Sequence, residues 1–421
     1  MYSGGAAFAR PIVFCFAGAA MNRPGLSVAL LAAVVVPQVG LGIMVPASAQ
    51  LAEQLQVGLG QVQSTLVMYM VGYALSMVLA GLLCDRYGPR AVQLGGLLLA
   101  ACGTGLAASA TSFLPFMIGR LLQALGGCVG TVTTRMVVRE VFTERERMDI
   151  LTTLASAIAI TPCLAPLLGG ALLPQFGWRG ILGLVGVFNL LVLLVFWRLV
   201  PSLPGTGQGV TPGRVLRVYG RNLGNAAFVF HAACISLVWM SYFGFLSSSS
   251  YAFQVVLGFS AFEYGALIAI CALGYVTGSF LARRLSRQHD LALILAVGAA
   301  VGTVGWVGLW LAVHLAGPVA GAFVVPMMAI LLSTGMVIPA TQAGLLRCVQ
   351  RDIGLSTGQF FFLQMVSGAA YGFLASHWPH LDVSQLAWLV GAPMVLLTVL
   401  TGTASMRRRL RSRAERSVAL H

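Results

Sequence analysis

The sequence predicts an all-α integral membrane protein: twelve transmembrane helices in two pseudo-symmetric six-helix bundles. Three observations lead there. Apolar residues make up 58% of the 421 and charged residues only 9%, where a soluble domain has about a quarter charged. The apolar residues come in runs of about 20, enough to cross a hydrocarbon core of about 30 Å. Clusters of Arg recur after every second run. Lipid offers a backbone no hydrogen bonds, so runs of this length are helices.

Boundaries at Arg, Pro, Asp and His place the first six helices at 27–49, 62–83, 90–110, 113–137, 150–173 and 178–199. The polar stretch 201–222 then halves the chain, and six more follow at 225–247, 262–283, 290–314, 318–343, 355–377 and 384–405. The expected organisation is a tail over 1–26, a bundle over 27–199, a central loop over 200–224, a bundle over 225–405 and an Arg-rich tail over 406–421.

The chain has no Lys, so Arg alone reports sidedness. Arg86 and Arg90 follow the second helix, Arg139, Arg145 and Arg147 the fourth, and Arg198, Arg214, Arg217 and Arg221 the sixth. Arg283, Arg284 and Arg287 follow the eighth, Arg347 and Arg351 the tenth, and six more lie in the tail. Of the opposite loops, only the one after the fifth helix holds an Arg, Arg179. Basic loops stay in the cytoplasm, so both termini are expected there and the helix count is even. The net charge of +14 is thereby accounted for without nucleic acid, and the tail is expected against anionic headgroups.

Residues 11–20 are apolar after Arg10 and resemble a short signal peptide. A signal peptide reverses the Arg alternation, so a cytoplasmic tail is the better reading, with Met21 as an alternative start. None of the eight Cys forms a CxxC pair, and most lie in apolar runs as small packing residues. No metal site is expected. Of the 50 Gly, the clusters Gly95, Gly96, Gly103, Gly105 and Gly126, Gly130 are expected to let helices approach closely.

The segment GLLCDRYGPR at 81–90 joins the second and third helices. Gly81 and Gly88 permit a tight turn. Asp85 precedes the third helix, where its dipole favours a carboxylate, and Arg86 and Arg90 are near enough to pair with it. It reads either as a short inside-positive loop or as a charge latch. A faded copy, GSFLARRLSR, follows the eighth helix at 278–287 with Ala282 in place of Asp85. Arg351–Asp352 likewise echoes Arg139–Glu140. A copy six helices on fits two repeats.

Here the chain resembles the major facilitator superfamily, whose signature in this loop has the same Gly, Asp–Arg and Gly–x–Arg pattern. VQSTLVMYMVGYALS at 62–76, GRLLQALGG at 119–127, TPCLAPLLGG at 161–170 and WRGI at 178–181 resemble its drug:proton antiporter branch, Bcr/CflA type. The resemblance covers about 30–182 well, and the second half mainly in layout. It implies the major facilitator fold, a proton gradient as energy source and no other cofactor. It also implies that the fourth-helix Arg, Arg120, serves proton coupling or substrate response.

Arg120 is also the one charge read as lying well inside an apolar run, and Gln123 is its polar neighbour. An ionisable residue at that depth is a functional candidate by default. The alternative is a structural Arg bound to backbone carbonyls. Pro162 and Pro166 each remove a helical hydrogen bond, and Gly169 and Gly170 allow close packing, as a bendable gating helix requires. Ordinary tolerance of Pro in membrane helices explains them too. Relatives often carry an Asp in the first helix where this chain has Gly42, and no Asp or Glu lies deep in any helix. That argues against a strongly cationic substrate and leaves Asp85 and His231 as the fallback titrating groups. Aromatic, Met and amide side chains supply the candidate cavity: Gln38, Met44, Tyr69, Tyr73, Gln123, His231, Trp239, Tyr242, Phe243, Gln342, Gln359, Phe360 and Gln364. About half of them should touch it, and such a wall suits a mid-sized neutral or anionic amphiphile.

The expected function is a secondary active exporter, by proton antiport and alternating access, of a drug-like antibiotic or a secreted metabolite such as a siderophore. The alternative is an importer of a sugar or other metabolite. No paired carboxylates or nucleophile–base pair points to an enzyme. The expected setting is a bacterial inner membrane, the expected partners are a small substrate and the lipid bilayer, and the expected state is monomeric.

Overall fold

The computed structural model describes residues 23–203, 205, 211–316, 320–376 and 383–418. The tail over 1–22, with Cys15 and Met21, lies outside the described residues.

The fold is helical from end to end. The first crossing is α1 (Arg23–Gly42), a 3-10 turn over Val45–Ala47 and α2 (Ser48–Gln54). It is not the single helix expected over 27–49. Pro46 has no N–H to donate back to Gly42, so the helix stops and restarts there. Next come α3 (Leu59–Tyr87), α4 (Pro89–Ser109), α5 (Phe113–Gly127) and α6 (Gly130–Val141). The fourth crossing is interrupted between α5 and α6, where Gly126, Gly127 and Gly130 make helix weakest. The fifth and sixth crossings form α7 (Glu144–Leu199), folded at Gly177 with φ 61°. Its first turn is capped by Thr143, whose N–H donates to Glu146 Oε2 at 3.0 Å.

The stretch expected as a linker carries a helix, α8 (Pro212–Leu223), with Pro212 in its first turn. The second half is α9 (Ala226–Ser250), a wider π-helical turn over Tyr251–Val256, α10 (Ala261–Leu285), α11 (Leu291–Ala316), α12 (Ala320–Cys348), α13 (Ile353–Ser376) and α14 (Val383–Val418). Asn225 caps α9 by accepting from Ala227 N at 3.0 Å, and Ser260 caps α10 by accepting from Glu263 N at 3.2 Å.

Ten segments of the described residues are individually long and apolar enough to span a membrane. One of them, Ser156–Leu199, contains the fold at Gly177, and α13 is a further 24-residue helix. These pieces accommodate the twelve crossings the sequence predicts.

The packing repeats after six crossings. In the first half α4 lies on α5, α3 on α5, α4 on α7 and α1 on α7; their counterparts are α11 on α12, α10 on α12, α11 on α14 and α9 on α13. Glycines set these spacings. Gly103 faces Gly119 and Gly96 faces Gly126, backbone to backbone, while Gly274 and Gly278 lie on the carbonyls of Met328 and Leu332. Gly95 and Gly105, expected in the same role, face open space. The halves meet along two symmetric seams, α3 on α13 and α7 on α10.

Candidate functional site: a cavity between the two halves

A small cavity of about 90 Å³ lies between the halves. Gln38 of α1, Tyr73 and Met77 of α3, Thr131 and Arg135 of α6 and Pro162 of α7 form one wall. Trp239 and Tyr242 of α9, Tyr275 of α10, Gln342 of α12 and Phe361 and Gln364 of α13 form the other. A wider cavity of about 400 Å³ shares Arg135, Tyr275 and Gln342 with it and runs past Arg283 and Ser286 toward the Arg-rich end. Its walls come from the first leg of α7 and the last turns of α10, together with Arg135 of α6 and Ile338, Pro339 and Gln342 of α12.

At the other end the same two helices close. Pro162 and Pro166 leave Ile158 and Pro162 carbonyls without helical donors, so this leg of α7 is bendable. Beyond them Gly169 rests on Ile43 O, Gly170 on Ala261 O and Gly265 on Pro166 O. The TPCLAPLLGG segment is therefore the plug of the far end, packed on both α1 and α10. The WRGI corner fixes its outer edge. Trp178 Nε1 donates to Gln54 Oε1 at 2.8 Å, and Arg179 Nη2 donates to Ala110 O at 3.0 Å. The sequence singled out WRGI only as a match; Gln50 and Gln54, which receive it, were not singled out.

Of the residues expected at the cavity, Gln38, Tyr73, Trp239, Tyr242, Gln342 and Gln364 line it. The others do not, each for a local reason. Met44 belongs to the apolar cluster around Trp178. Tyr69 donates to Pro37 O at 2.9 Å, and Gln123 accepts from Arg120. Phe243 packs on Gly372, and Phe360 sits 6.2 Å edge-on to Phe228. Gln359 is bound to α8, accepting from Asn222 Nδ2 at 2.9 Å and donating to Tyr219 O at 3.2 Å. His231 lies on Gly344 in a separate pocket with Asp290 and Arg347.

Arg120 is 1% exposed and lines neither cavity. Its Nη1 donates to Gly40 O at 2.9 Å, and its guanidinium stands 4.7 Å from the Tyr69 ring centre. Gly40 is at the broken end of α1, where carbonyls lack partners and the helix dipole is negative. Arg120 therefore ties the break in the first crossing to the fourth. A second Arg of the same crossing, Arg135 on α6, reaches both cavities. No sequence motif marks it.

The 81–90 loop also differs from expectation. Arg90 Nη2 donates to Trp197 O at 2.6 Å, and Arg86 covers the Tyr87 ring at 5.2 Å. Arg214 of α8 acts on Asp85. Gly88, at φ 83°, lies on Leu203 O, whereas Gly81 faces open space. On its other side, Arg214 pairs with Asp352 at 2.9 Å, joined by Arg221 at 3.1 Å. Helix α8 thus bridges the two halves at the Arg-rich end.

Hydrogen bonding from Arg214 holds the Asp352 carboxyl below the usual carboxylate range. A depressed carboxylate stabilises the contact above its ordinary pKa and loses it as pH falls through the lowered value. Each such solvent-facing pair contributes about 0.2–1 kcal/mol. Asp352→Asn is expected to detach α8, raising protease cleavage within 211–224 several-fold at pH 7 and abolishing its pH dependence below pH 4. Equal cleavage of both forms at pH 7 is the contrary result.

Two helical bundles around a shared cavity, plugged at one end and open at the other, have the architecture of a membrane transporter. The chain belongs to the Major Facilitator Superfamily, whose family model matches residues 30–373. A chloramphenicol resistance protein of Pseudomonas aeruginosa is 27% identical over 389 residues, covering 89% of each chain. Multidrug resistance protein D of Escherichia coli is 25% identical over 376 residues, covering 88% of this chain and 93% of its own. The solved structure of a D-xylose-proton symporter superposes with a TM-score of 0.70 at 14% identity, covering 90% of this chain and 97% of its own.

Proposed function

We propose that this chain exports a small amphipathic molecule, a drug-like antibiotic or a secreted metabolite, by alternating access and proton antiport. The observation that carries it is the cavity itself: aromatic and amide walls, open toward the Arg-rich end and shut at the other by the TPCLAPLLGG segment. With the Arg-rich end in the cytoplasm of a bacterium, as basic loops dictate, the binding site faces the cytoplasm, the loading state of an exporter and the release state of an importer, and the relatives favour export. The named relatives support a drug-like substrate, since they are chloramphenicol and multidrug resistance proteins. The motifs at 62–76, 119–127 and 161–170 support the Bcr/CflA type of drug:proton antiporter.

Inside-out vesicles energised by respiration test this. Chloramphenicol is expected to accumulate in vesicles bearing the chain and to leak out when a protonophore is added. Ethidium is not expected to accumulate, since no carboxylate lines either cavity among the described residues. Accumulation of ethidium but not chloramphenicol, or uptake only into right-side-out vesicles, overturns the reading.

A further inference from the structure

Arg135 belongs to none of the motifs above, yet it is the charge that lines both cavities, where Arg283 lines only the wider one. It sits at the junction of the two cavities. Its Nη1 donates to Thr131 O, one turn back on its own helix, and its Cζ lies 5.5 Å from the centre of the Phe361 ring. A guanidinium has five N–H donors in a planar fork, so most of this fork is free for another partner. Among the described residues no carboxylate lines either cavity, and the titratable group that acts on Arg135 is Tyr73. A cation in a cavity wall with no carboxylate facing it is a candidate ligand anchor. Arg120, on the same crossing, differs in place: its Nη1 is given to Gly40 O and Gln123 Oε1, its Nε and Nη2 are buried without a partner, and it lines neither cavity.

The second half supplies independent support. Trp239 and Gln364 both line the small cavity, and Trp239 Nε1 and Gln364 Oε1 are buried with no hydrogen-bond partner among the described residues. Buried polar atoms in native proteins are nearly always paired. Here an indole donor and an amide, which both donates and accepts, stand on the wall facing a free cation.

We propose that Arg135 anchors an anion subsite, and that among the molecules transported an organic anion bearing a carboxylate or comparable oxyanion is preferred over a neutral one. The fork of Arg135 holds the oxyanion. The apolar body lies against Tyr242 and Phe361, and Trp239 Nε1 and the Gln364 amide meet its remaining polar groups. Such a molecule touches both halves at once, so binding favours the arrangement in which they close on it. This narrows the exporter reading above to a preferred substrate class and rests on it for the direction of transport.

The test uses the purified full chain in lipid nanodiscs and two matched radiolabelled probes, 2-naphthoate and neutral 2-naphthamide. The carboxylate is expected to bind about tenfold more tightly, as for one charge-assisted hydrogen-bonded contact. Arg135→Gln should remove that preference and leave amide binding within about twofold; Arg135→Lys should keep part of it. Equal affinity in the unmodified chain, no binding of either probe, or a preference that survives Arg135→Gln overturns the subsite. If Arg135→Gln does not fold, the comparison in the unmodified chain decides. Chloramphenicol export without carboxylate preference removes the subsite and leaves the exporter; carboxylate preference without export in inside-out vesicles does the reverse.

Discussion

Arg120→Ala is expected to abolish transport while leaving the chain inserted in the membrane. The side chain is buried, so its loss strands Gly40 O and Gln123 Oε1 together. Each buried polar group left unsatisfied costs about 1–3 kcal/mol. The damage is focused on the break in the first crossing. Tyr69, stacked beneath the guanidinium, donates to Pro37 O, and a Cβ at Gly40 would come within 2.6 Å of its hydroxyl. Arg120, Tyr69, Pro37 and Gly40 thus form one joint, and Gln38 of the cavity wall lies inside it. Insertion is set by the apolar runs and the Arg distribution, which the substitution does not touch. Vesicle flux normalised to the amount of membrane-embedded protein measures the effect. Arg120→Lys keeps the charge but loses the planar fork, so it should fall between. Normal flux from Arg120→Ala would show that the joint is dispensable.

The joint illustrates how much a sequence of this kind discloses. The crossings and the Arg alternation were legible because membrane thickness and loop charge constrain them directly. The bendable leg at Pro162 and Pro166 was legible because Pro removes a helical donor wherever it stands, but the breaks in the first and fourth crossings were not: unbroken helices over 27–49 and 113–137 were expected. The rotation of each helix was not. A membrane helix apolar all round has no polar stripe to say which face is inward. Buried Gln and Tyr look alike in sequence whether they face a cavity, as Gln364 and Tyr73 do, or a neighbour, as Gln359 and Tyr69 do. Arg135 was hidden by its proximity to Arg139, four residues on and exposed. One helical turn of about 5.4 Å separates a loop cation from a cavity cation. The helix α8 did leave a signal: Val215, Val218 and Asn222, all buried, recur at helical spacing between Arg214, Arg217 and Arg221. The Pro and Gly residues before it masked that period.

Gly265→Val and Gly170→Val are expected to stop transport from the opposite direction, by keeping the plugged end from closing. A Cβ at Gly265 would stand 2.6 Å from Pro166 O, and one at Gly170 would press on Ala261 O. Both obstacles are backbone, so no change of rotamer relieves them. Overpacking of this sort costs about 1–3 kcal/mol, and it is felt only when α7 and α10 are together. It therefore acts as a bias between conformations, with 1–3 kcal/mol corresponding to about a 5–150-fold shift. Spin labels at Gln56 and Val256, both exposed and flanking the plug on opposite halves, should move apart in either variant. Flux should fall by about the same factor as the closed population. Gly105→Val is the control, because a Cβ there meets nothing within 4 Å and flux should be unchanged. Were Gly265→Val to transport normally with the label distance unchanged, the contact between the TPCLAPLLGG segment and α10 could not be the gate.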